Sequence, residues 1–198
     1  MTATKKPSQR RDALVQIAAE LFAEQGYRAT TVRHIGDAAG VLSGSLYHHF
    51  DSKETILDEL LSSYLEELLN TYRAIVAADA SPRTTLRELT LASFRSLSEH
   101  RAAITVLQNE RNYLRTLPRF AYLTKAEEEV RRIWITVLRD GVEAGEFRPD
   151  LDPLVTYRFL RDSVWVTVRW FRQDGRMSAD ELAGQYLALI LDGLTVGD

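Results

Sequence analysis

Residues 30–53, which read TTVRHIGDAAGVLSGSLYHHFDSK, constrain the fold more than any other stretch of the sequence. Apolar residues recur at helical spacing in the first half, after Thr30 or Thr31, whose side-chain oxygen can cap the first turn. Gly40 then ends this helix, because a glycine adopts a positive φ without a side-chain clash. The chain starts again three residues later at Ser43, which we expect to be the next N-cap. The stretch therefore predicts a helix-turn-helix.

The second helix of this motif, predicted over residues 43–50, has a composition unusual for a core element. Leu46 and Phe50 lie four residues apart and are its main inward anchors. The remaining residues are small or carry hydrogen-bonding groups, which is typical of a recognition helix in the major groove of DNA. For Tyr47 the alternative is a core aromatic, and for His49 we favour packing against the first helix.

Composition limits the class of protein. The 198 residues are 45% hydrophobic, which is sufficient for the core of one domain or two small ones. The sequence has no cysteine, so disulfides, thiol catalysis and cysteine metal sites are excluded. No apolar run approaches the roughly 20 residues of a membrane span, and no apolar run follows the basic N-terminus. We therefore expect a cytoplasmic protein without a membrane partner.

The net charge of −3 argues at first against a nucleic-acid binder, but the distribution of charge favours one. Lys5, Lys6, Arg10 and Arg11 form a basic arm, and three of the four histidines lie in the helix-turn-helix. Only charges within a Debye length, about 8 to 10 Å, act strongly, so such an arm can follow phosphates. A solubilising tail is an equal alternative for Lys5 and Lys6. Arg10 and Arg11 open a helix and are predicted to contact DNA.

The rest of the chain is predicted to be helical, and no strand pattern competes with this all-α assignment. The first three helices form a helix-turn-helix DNA-binding domain, residues 1–52, and the others form a ligand-binding and dimerisation domain, residues 53–198. The long fourth helix joins the two, so a movement of the body can be passed to the DNA end. The nine predicted helices cover residues 8–25, 30–39, 43–50, 52–78, 84–98, 101–114, 120–144, 153–173 and 179–194.

The last two helices are apolar on more than one face. One face serves the core, and the other requires a partner, because terminal helices are rarely covered on all sides in a chain of this size. The same two helices in a second copy would form the four-helix interface of a homodimer. A buried hairpin in a monomer is the alternative. The residues predicted for the dimer interface are Trp170, Phe171, Tyr186, Leu187, Ile190 and Leu194.

From residue 18 to residue 54 the chain reads A-x-x-L-F-x-x-x-G-Y-x-x-T-T-V-x-x-I, then A-A-G-V, then L-Y-H-H-F-x-S-K-E. This pattern resembles the TetR family of transcriptional repressors, and the resemblance extends over nearly the full length. It implies a nine-helix fold, a homodimer, a palindromic operator in double-stranded DNA, and release when a small molecule enters the C-terminal domain. Gly36 departs from the alanine often found there, at a cost of about 1 kcal/mol, which suggests close packing.

The resemblance also implies which residues contact DNA. Thr31 and Arg33 of the first motif helix would contact phosphates or a groove, and Lys53 would bind a phosphate. The operator sequence stays open, as does the choice between repression and activation. The recognition helix would supply Ser43, Gly44, Ser45, Tyr47 and His48.

Arg161 is the main candidate for effector binding. It lies in an otherwise apolar helix, with Tyr157 one turn before it and Trp165 one turn after it, so the three share a face. A buried guanidinium requires an acceptor. That acceptor is either an internal carboxylate, such as Glu110 or Asp162, or an oxygen of a ligand lying on the indole ring. We favour the ligand.

A polar patch at Gln108, Asn109 and Tyr113 is predicted to line the same cavity, with a solvated helix face as the alternative. The segment R-D-S-V-W, followed by W-F-R-x-D-G-R-x-S, resembles actinobacterial TetR-family repressors of sterol and lipid catabolism, in particular of cholesterol ring breakdown. This resemblance implies an acyl-CoA thioester as effector. No cofactor is expected.

The sequence does not favour an enzyme or a metalloprotein. Ser43, His48 and Asp51 lack the spacing of a nucleophile elbow, and the adjacent His48 and His49 lack the i, i+4 spacing of helical zinc sites. We therefore predict no catalytic residue, no metal site and no enzyme. A dimer that binds DNA without an effector would have a filled core around Arg161, and a regulator of another hydrophobic ligand, such as a drug, is a further alternative.

Overall fold

The computed structural model describes residues 7–194, with side chains described for residues 10–191 and 193–194. Lys5 and Lys6 lie outside the described residues. Within them the chain forms nine α-helices, a short 3-10 helix at Pro118–Phe120 and no strand, which confirms the all-α prediction. None of the described helices is long and apolar enough to cross a membrane. The helices are α1 Pro7–Gln25, α2 Val32–Ala39, α3 Ser43–Leu46, α4 Lys53–Ala77, α5 Pro82–Glu99, α6 Arg101–Leu114, α7 Tyr122–Glu143, α8 Pro153–Thr167 and α9 Ala179–Leu194.

The chain divides into two compact units. We call Met1–Leu65 with Ala102–Ala121 the N-terminal unit, and Glu66–Arg101 with Tyr122–Asp198 the C-terminal unit. Nearly all of α6 therefore groups with the helix-turn-helix, and α4 contributes to both units. The division between residues 52 and 53, which was drawn from the sequence motif, stays a prediction.

The core of the N-terminal unit comes from apolar stripes on five helices. Because these residues recur every three or four positions, each helix turns one face inward and leaves the opposite face polar. Among the most deeply buried are Ala18, Ala19, Phe22, Ile35, Leu46, Ile56, Leu57, Leu61, Val106 and Leu114.

Local caps fix the first half of the helix-turn-helix. The His34 N–H donates to Thr31 Oγ1 over 3.2 Å, and the Thr31 N–H donates to His34 Nδ1 over 3.4 Å, so Thr31 is the N-cap of α2 in a capping box. Gly40 has a φ of 65° and ends that helix, as predicted. A Cβ on Gly36 would lie 3.1 Å from the Val41 carbonyl oxygen, which confirms the close packing expected there.

The second half of the motif corrects two predictions. Ser43 is the first residue of α3 and caps nothing, because Leu42 occupies the N-cap position without a side-chain bond. α3 ends at Leu46, four residues earlier than predicted, and the N–H groups of His49 and Phe50 both donate to the Leu46 carbonyl. The chain turns here because Ser52 already begins the next helix, accepting from the Thr55 N–H over 3.2 Å.

The C-terminal unit packs around Tyr72, Trp134, Phe147 and Tyr157. A Cβ on Gly141 would overlap the Phe147 ring, so only glycine admits this ring to the core. Gly145 has a φ of 71° and follows the end of α7, as predicted.

Neighbouring residues determine where α8 and α9 begin, whereas α8 ends near a contact from a distant residue. Asp152 caps α8 and the Ser178 and Glu181 side chains form the predicted capping box of α9. α8, however, ends at Thr167 rather than near residue 173. The chain leaves the helix through short turns, while Arg101 donates to the Phe171 carbonyl from 70 residues away.

Candidate nucleic-acid interface and effector region

The helix-turn-helix has the outward face that a recognition helix requires. Tyr47 is 58% exposed and His48 is also exposed, whereas Leu46 and Phe50 are buried. The core alternative for Tyr47 is therefore excluded, and Phe50 packs inward as expected. Gly44 is exposed and Ser43 and Ser45 are half-buried beside it.

Three other predicted contact residues are also open to solvent. Arg10 and Thr31 are exposed, and Arg33 makes only a loose pair with Asp37, with 3.8 Å between Nε and Oδ2. Sequence reasoning missed Leu42, which is 84% exposed at the turn between α2 and α3. An apolar side chain in this position can contact a thymine methyl group.

Arg11 is engaged inside the N-terminal unit. Its Nε lies 2.9 Å and its Nη2 2.6 Å from Glu59 Oε2, and its Nη1 donates to the His49 carbonyl. The guanidinium also lies 4.1 Å from the centroid of the Phe50 ring. Its hydrogen-bonding groups thus have partners on α4 and just after α3.

Lys53 is engaged in the same way. Its Nζ donates to the carbonyl oxygens of Tyr27 and Thr30, both over 2.7 Å, and lies 4.2 Å from the centroid of the Tyr27 ring. Burial lowers the pKa of Lys53, while Glu110 and Glu54 oppose the shift. Two of its three donors hold the turn between α1 and α2.

Arg161 lies on α8 in the C-terminal unit. Its Nε donates to Asp162 Oδ1 over 2.8 Å, and its guanidinium lies 5.6 Å from the centroid of the Tyr157 ring. Tyr157 is buried, and this burial raises the pKa of its hydroxyl, against the effect of the neighbouring guanidinium. The Arg161 side chain is still 33% exposed, and Trp165 is half-buried one turn further on.

The three polar residues expected beside Arg161 lie in the other unit. Gln108, Asn109 and Tyr113 are on α6, which groups with the helix-turn-helix. The Tyr113 ring lies 6.2 Å from the Tyr27 ring and 5.4 Å from the Arg28 guanidinium. The contacts of Tyr113 in the N-terminal unit are therefore to the turn that precedes α2.

The residues predicted for a dimer interface divide into two groups. Phe171 and Leu187 are 5% exposed in the single chain, so they already belong to its core. Tyr186 packs against Phe94, and its hydroxyl bonds to Ser163. Ile190 and Leu194 are partly buried against the core, and Trp170 is 59% exposed.

An apolar stripe does face solvent on these two helices. Val155, Phe159, Val166 and Trp170 are exposed at spacings of four, seven and four residues, which places them on one side of α8 and the turn after it. Leu189 is 79% exposed on α9. The predicted interface omitted Val155, Phe159, Val166 and Leu189, because a helix that is apolar all round gives no periodicity from which to choose its outer face.

Two further features of the C-terminal unit could hold small groups. An open pocket of about 460 Å³ has the lining Thr71, Ala74, Ile75, Ala78, Ala80, Thr85 and Glu88. Separately, Glu67, Glu99 and His100 bring three possible metal-ligating atoms within 4.8 Å of one another, with both glutamates exposed. The pocket lining contains none of the residues predicted to bind the effector.

Comparison with known proteins covers both units. Residues 14–60 match the family model described as bacterial regulatory proteins, tetR family, and residues 79–194 match the one described as tetracyclin repressor-like, C-terminal domain. The HTH-type transcriptional repressor KstR2 of Rhodococcus jostii (strain RHA1) is 49% identical over 191 residues, which is 96% of this chain and 94% of that protein.

Solved structures extend the likeness to the fold. The structure of the ketosteroid transcriptional regulator KstR2 of Mycobacterium tuberculosis has a TM-score of 0.94 and 46% identity, covering 99% of this chain and 100% of that one. AibR in complex with isovaleryl coenzyme A and operator DNA has a TM-score of 0.79, covering 91% and 97%. At 22% identity, the likeness to AibR is one of fold alone.

Proposed function

Because this chain belongs to the tetR family of bacterial regulatory proteins, we propose that it acts as a homodimeric repressor, released from a palindromic operator by a CoA thioester. As a transcriptional regulator of this family it is not an enzyme. The observation that carries the proposal is the exposed face of Tyr47 and His48 above the buried anchors Leu46 and Phe50.

For DNA binding, we assign base contacts to the recognition helix and phosphate contacts to the flanks. Tyr47 and His48 offer hydrogen-bonding groups to base edges, and Leu42 offers an apolar contact. Arg10, Thr31 and Arg33 are the exposed flanking groups. The small residues Ser43, Gly44 and Ser45 allow the helix to approach the groove closely.

A palindromic operator requires a two-fold partner. The stripe of Val155, Phe159, Val166 and Trp170, together with Leu189, supports a four-helix interface in which α8 and α9 pack on their copies. Tyr186, Ile190 and Leu194 would lie at its edge, and Phe171 and Leu187 would support it from the core. The dimer would place two recognition helices about 34 Å apart, one turn of DNA.

Oligomeric state tests this interface. Phe159→Asp and Leu189→Asp each bring a charge into the proposed contact, so analytical ultracentrifugation should find monomers. Val76→Asp is the matched control, because Val76 is an exposed apolar residue on α4. A wild-type protein that is monomeric at the concentration at which it binds the operator would contradict the dimer.

For the effector, we assign its anionic groups to Arg161 and its apolar part to Tyr157 and Trp165. The names of the relatives support a steroid-derived acyl group, and the AibR complex supports coenzyme A in this fold. Among the residues that the structure describes, only the adjacent Asp162 pairs its carboxylate with Arg161, so a ligand can replace it without unfolding the helix. In this assignment Gln108, Asn109 and Tyr113 are not required to touch the effector.

A gel-shift titration tests the effector class. An operator selected by the protein from random duplex DNA is held at fixed salt while three compounds are added: the CoA thioester of a steroid-derived acid, a straight-chain acyl-CoA and free CoA. We expect displacement by the first at the lowest concentration. Absence of displacement by either thioester would remove the CoA assignment and leave DNA binding intact. Displacement by an apolar drug alone would favour another hydrophobic ligand.

A further inference from the structure

Two cations near the recognition helix form hydrogen bonds inside the N-terminal unit. Arg11 and Lys53 were both expected to contact phosphates, yet each donates hydrogen bonds to groups of the N-terminal unit. By contrast, Arg10 and Arg33 are exposed in the same unit. Of these four cations, Arg11 and Lys53 therefore have internal partners, whereas Arg10 and Arg33 face solvent.

Arg11 joins three elements through one guanidinium. It extends from α1, pairs with Glu59 on α4 through both Nε and Nη2, and donates through Nη1 to the carbonyl of His49, just after α3. Phe50 lies against its face. Because a guanidinium is planar and its donors have fixed directions, this arrangement sets both the distance and the angle between α1, α4 and the end of the recognition helix.

Lys53 performs the corresponding task at the start of α2. The two carbonyls that accept from its Nζ belong to Tyr27 and Thr30, the residues that open and close the turn between α1 and α2. Both residues are almost completely buried, and the next residue, Thr31, is the N-cap of α2. The ammonium group thus fixes the point at which α2 begins.

A phosphate that drew either cation fully outward would have to displace these internal partners. If Lys53 rotated outward, two carbonyls of buried residues would lose a charged donor, and such groups are costly to leave unsatisfied. If Arg11 rotated outward, the Glu59 carboxylate would lose its partner close to the negatively charged DNA. Both movements would also release the turns that orient α2 and α3.

We propose that Arg11 and Lys53 contribute to operator binding chiefly as positioning residues, which hold α2 and α3 in the geometry that binds DNA, and not as phosphate contacts. The inference rests on the DNA-binding part of the proposed function and is independent of the effector. It divides the cations of the N-terminal unit into those that fix its shape and those that contribute to the salt dependence of binding.

The salt dependence of operator binding separates the two roles. Each phosphate contact adds about 0.9 to the slope of log K against log salt, so a contact made by both protomers adds about 1.8. We expect Lys53→Gln to weaken binding about 10-fold or more at every salt concentration with an unchanged slope. Arg33→Gln is the matched cation control and should reduce the slope. Lys125→Gln, an exposed lysine of the C-terminal unit, should change neither quantity.

Glu59→Gln gives a test of Arg11 in which the two roles predict opposite signs. If Arg11 is a positioning residue, removing its carboxylate partner loosens the contact to His49 and weakens operator binding. If Arg11 binds a phosphate, the same change removes a negative charge, frees a cation and strengthens binding. The double variant Arg11→Gln with Glu59→Gln should bind no worse than Arg11→Gln alone, because the two side chains act as one unit.

Hydrogen exchange of the free protein provides a measurement without DNA. Lys53→Gln should speed exchange of the His34 and Ile35 amides, which bond to Thr31 at the start of α2, whereas Arg33→Gln should leave them unchanged. A slope reduced by about 1.8 in Lys53→Gln would overturn the proposal. Wild-type affinity in that variant, or tighter binding by Glu59→Gln, would also overturn it.

Discussion

The two compact units use arginine in opposite ways. Arg11 in the N-terminal unit pairs with a carboxylate 48 positions away, whereas Arg161 in the C-terminal unit pairs with the residue that follows it. The first pair joins α1 to α4, so breaking it removes a contact between helices. Breaking the second removes no contact between helices and costs little, because the Asp162 side chain is 63% exposed to water.

The sequence separation of its ion-pair partner thus indicates whether an arginine stabilises the tertiary structure or is available to bind a ligand. An ion pair between distant residues restricts the tertiary structure, and exchanging its partner would disturb the unit. An ion pair between adjacent residues restricts almost nothing, so a ligand anion can take the place of the carboxylate. The same residue type is therefore structural in one unit and available in the other.

The largest effect should come from Arg161→Ala. Because hydrogen bonds to charged groups contribute about 1.5 to 3 kcal/mol, the concentration of CoA thioester needed to displace half of the operator should rise about 10- to 100-fold. Operator affinity without the thioester should stay within about twofold. Arg158→Ala, an exposed arginine of the same helix, is the control. Unchanged displacement in Arg161→Ala would show that this arginine is structural as well.

Arg11→Ala should give the next largest effect, on stability. Loss of the bidentate pair, the carbonyl bond and the contact with Phe50 should lower the free energy of unfolding by about 2 kcal/mol, allowing for the 35% exposure of the side chain. Arg161→Ala should lower it by less than about 0.5 kcal/mol. The midpoint of urea unfolding at an unchanged m-value measures both. Equal losses would remove the contrast between the two units.

Helix caps should give a smaller and similar loss in both units. Thr31→Ala and Ser178→Ala each remove a side-chain cap and should cost about 1 kcal/mol in thermal or urea unfolding. Only Thr31→Ala should also weaken operator binding, because it loosens the start of α2. Thr31→Ser keeps the capping oxygen and should restore both properties. A loss of operator binding in Ser178→Ala would mean that the two units are coupled through α9.

The smallest effect should appear only at high pH. Burial raises the pKa of Tyr27 above its ordinary value near 10, with a further contribution from Glu54. The folded state therefore holds this proton more tightly than the unfolded state, and the resulting stability is complete below about pH 10 and is lost as the pH rises above it. Tyr27→Phe should show a shallower loss of the urea midpoint between pH 10 and 11 than the wild type. Parallel curves would indicate that Tyr27 does not titrate with unfolding.

Features set by neighbouring residues could be predicted from the sequence. Gly40 and the Ser178–Glu181 pair act within four positions, so the spacing alone identified them, and it limited the N-cap of α2 to Thr30 or Thr31, of which the structure selects Thr31. The predicted length of α3 and the predicted N-cap role of Ser43 were wrong, because Leu42 takes the N-cap position and the Ser52 cap starts the next helix soon after Leu46. The predicted end of α8 was also wrong, and there the chain meets a long-range contact, from Arg101 to the Phe171 carbonyl.

The direction of a side chain was the main thing that the sequence could not provide. A basic residue beside a recognition helix satisfies the same pattern whether it points toward DNA, as Arg33 can, or toward buried carbonyls, as Lys53 does. Only the solvent exposure of the side chains in the structure shows which face of α8 and of the turn after it points outward: Phe159 is exposed and Phe171 is buried. The choice between Asp162 and a ligand as the partner of Arg161 still rests on the titration proposed above.

The close approach at Gly36 has a consequence for attempts to redirect this regulator to new operators. A methyl group there would meet the Val41 carbonyl at 3.1 Å and the Ser43 hydroxyl at 3.3 Å, so even alanine would press on the backbone and side chain that lead into the recognition helix. A variant library should therefore keep position 36 constant and vary the exposed positions 42, 44, 47 and 48. Such a library would search base preference while the angle of entry into the groove stays the same in every member.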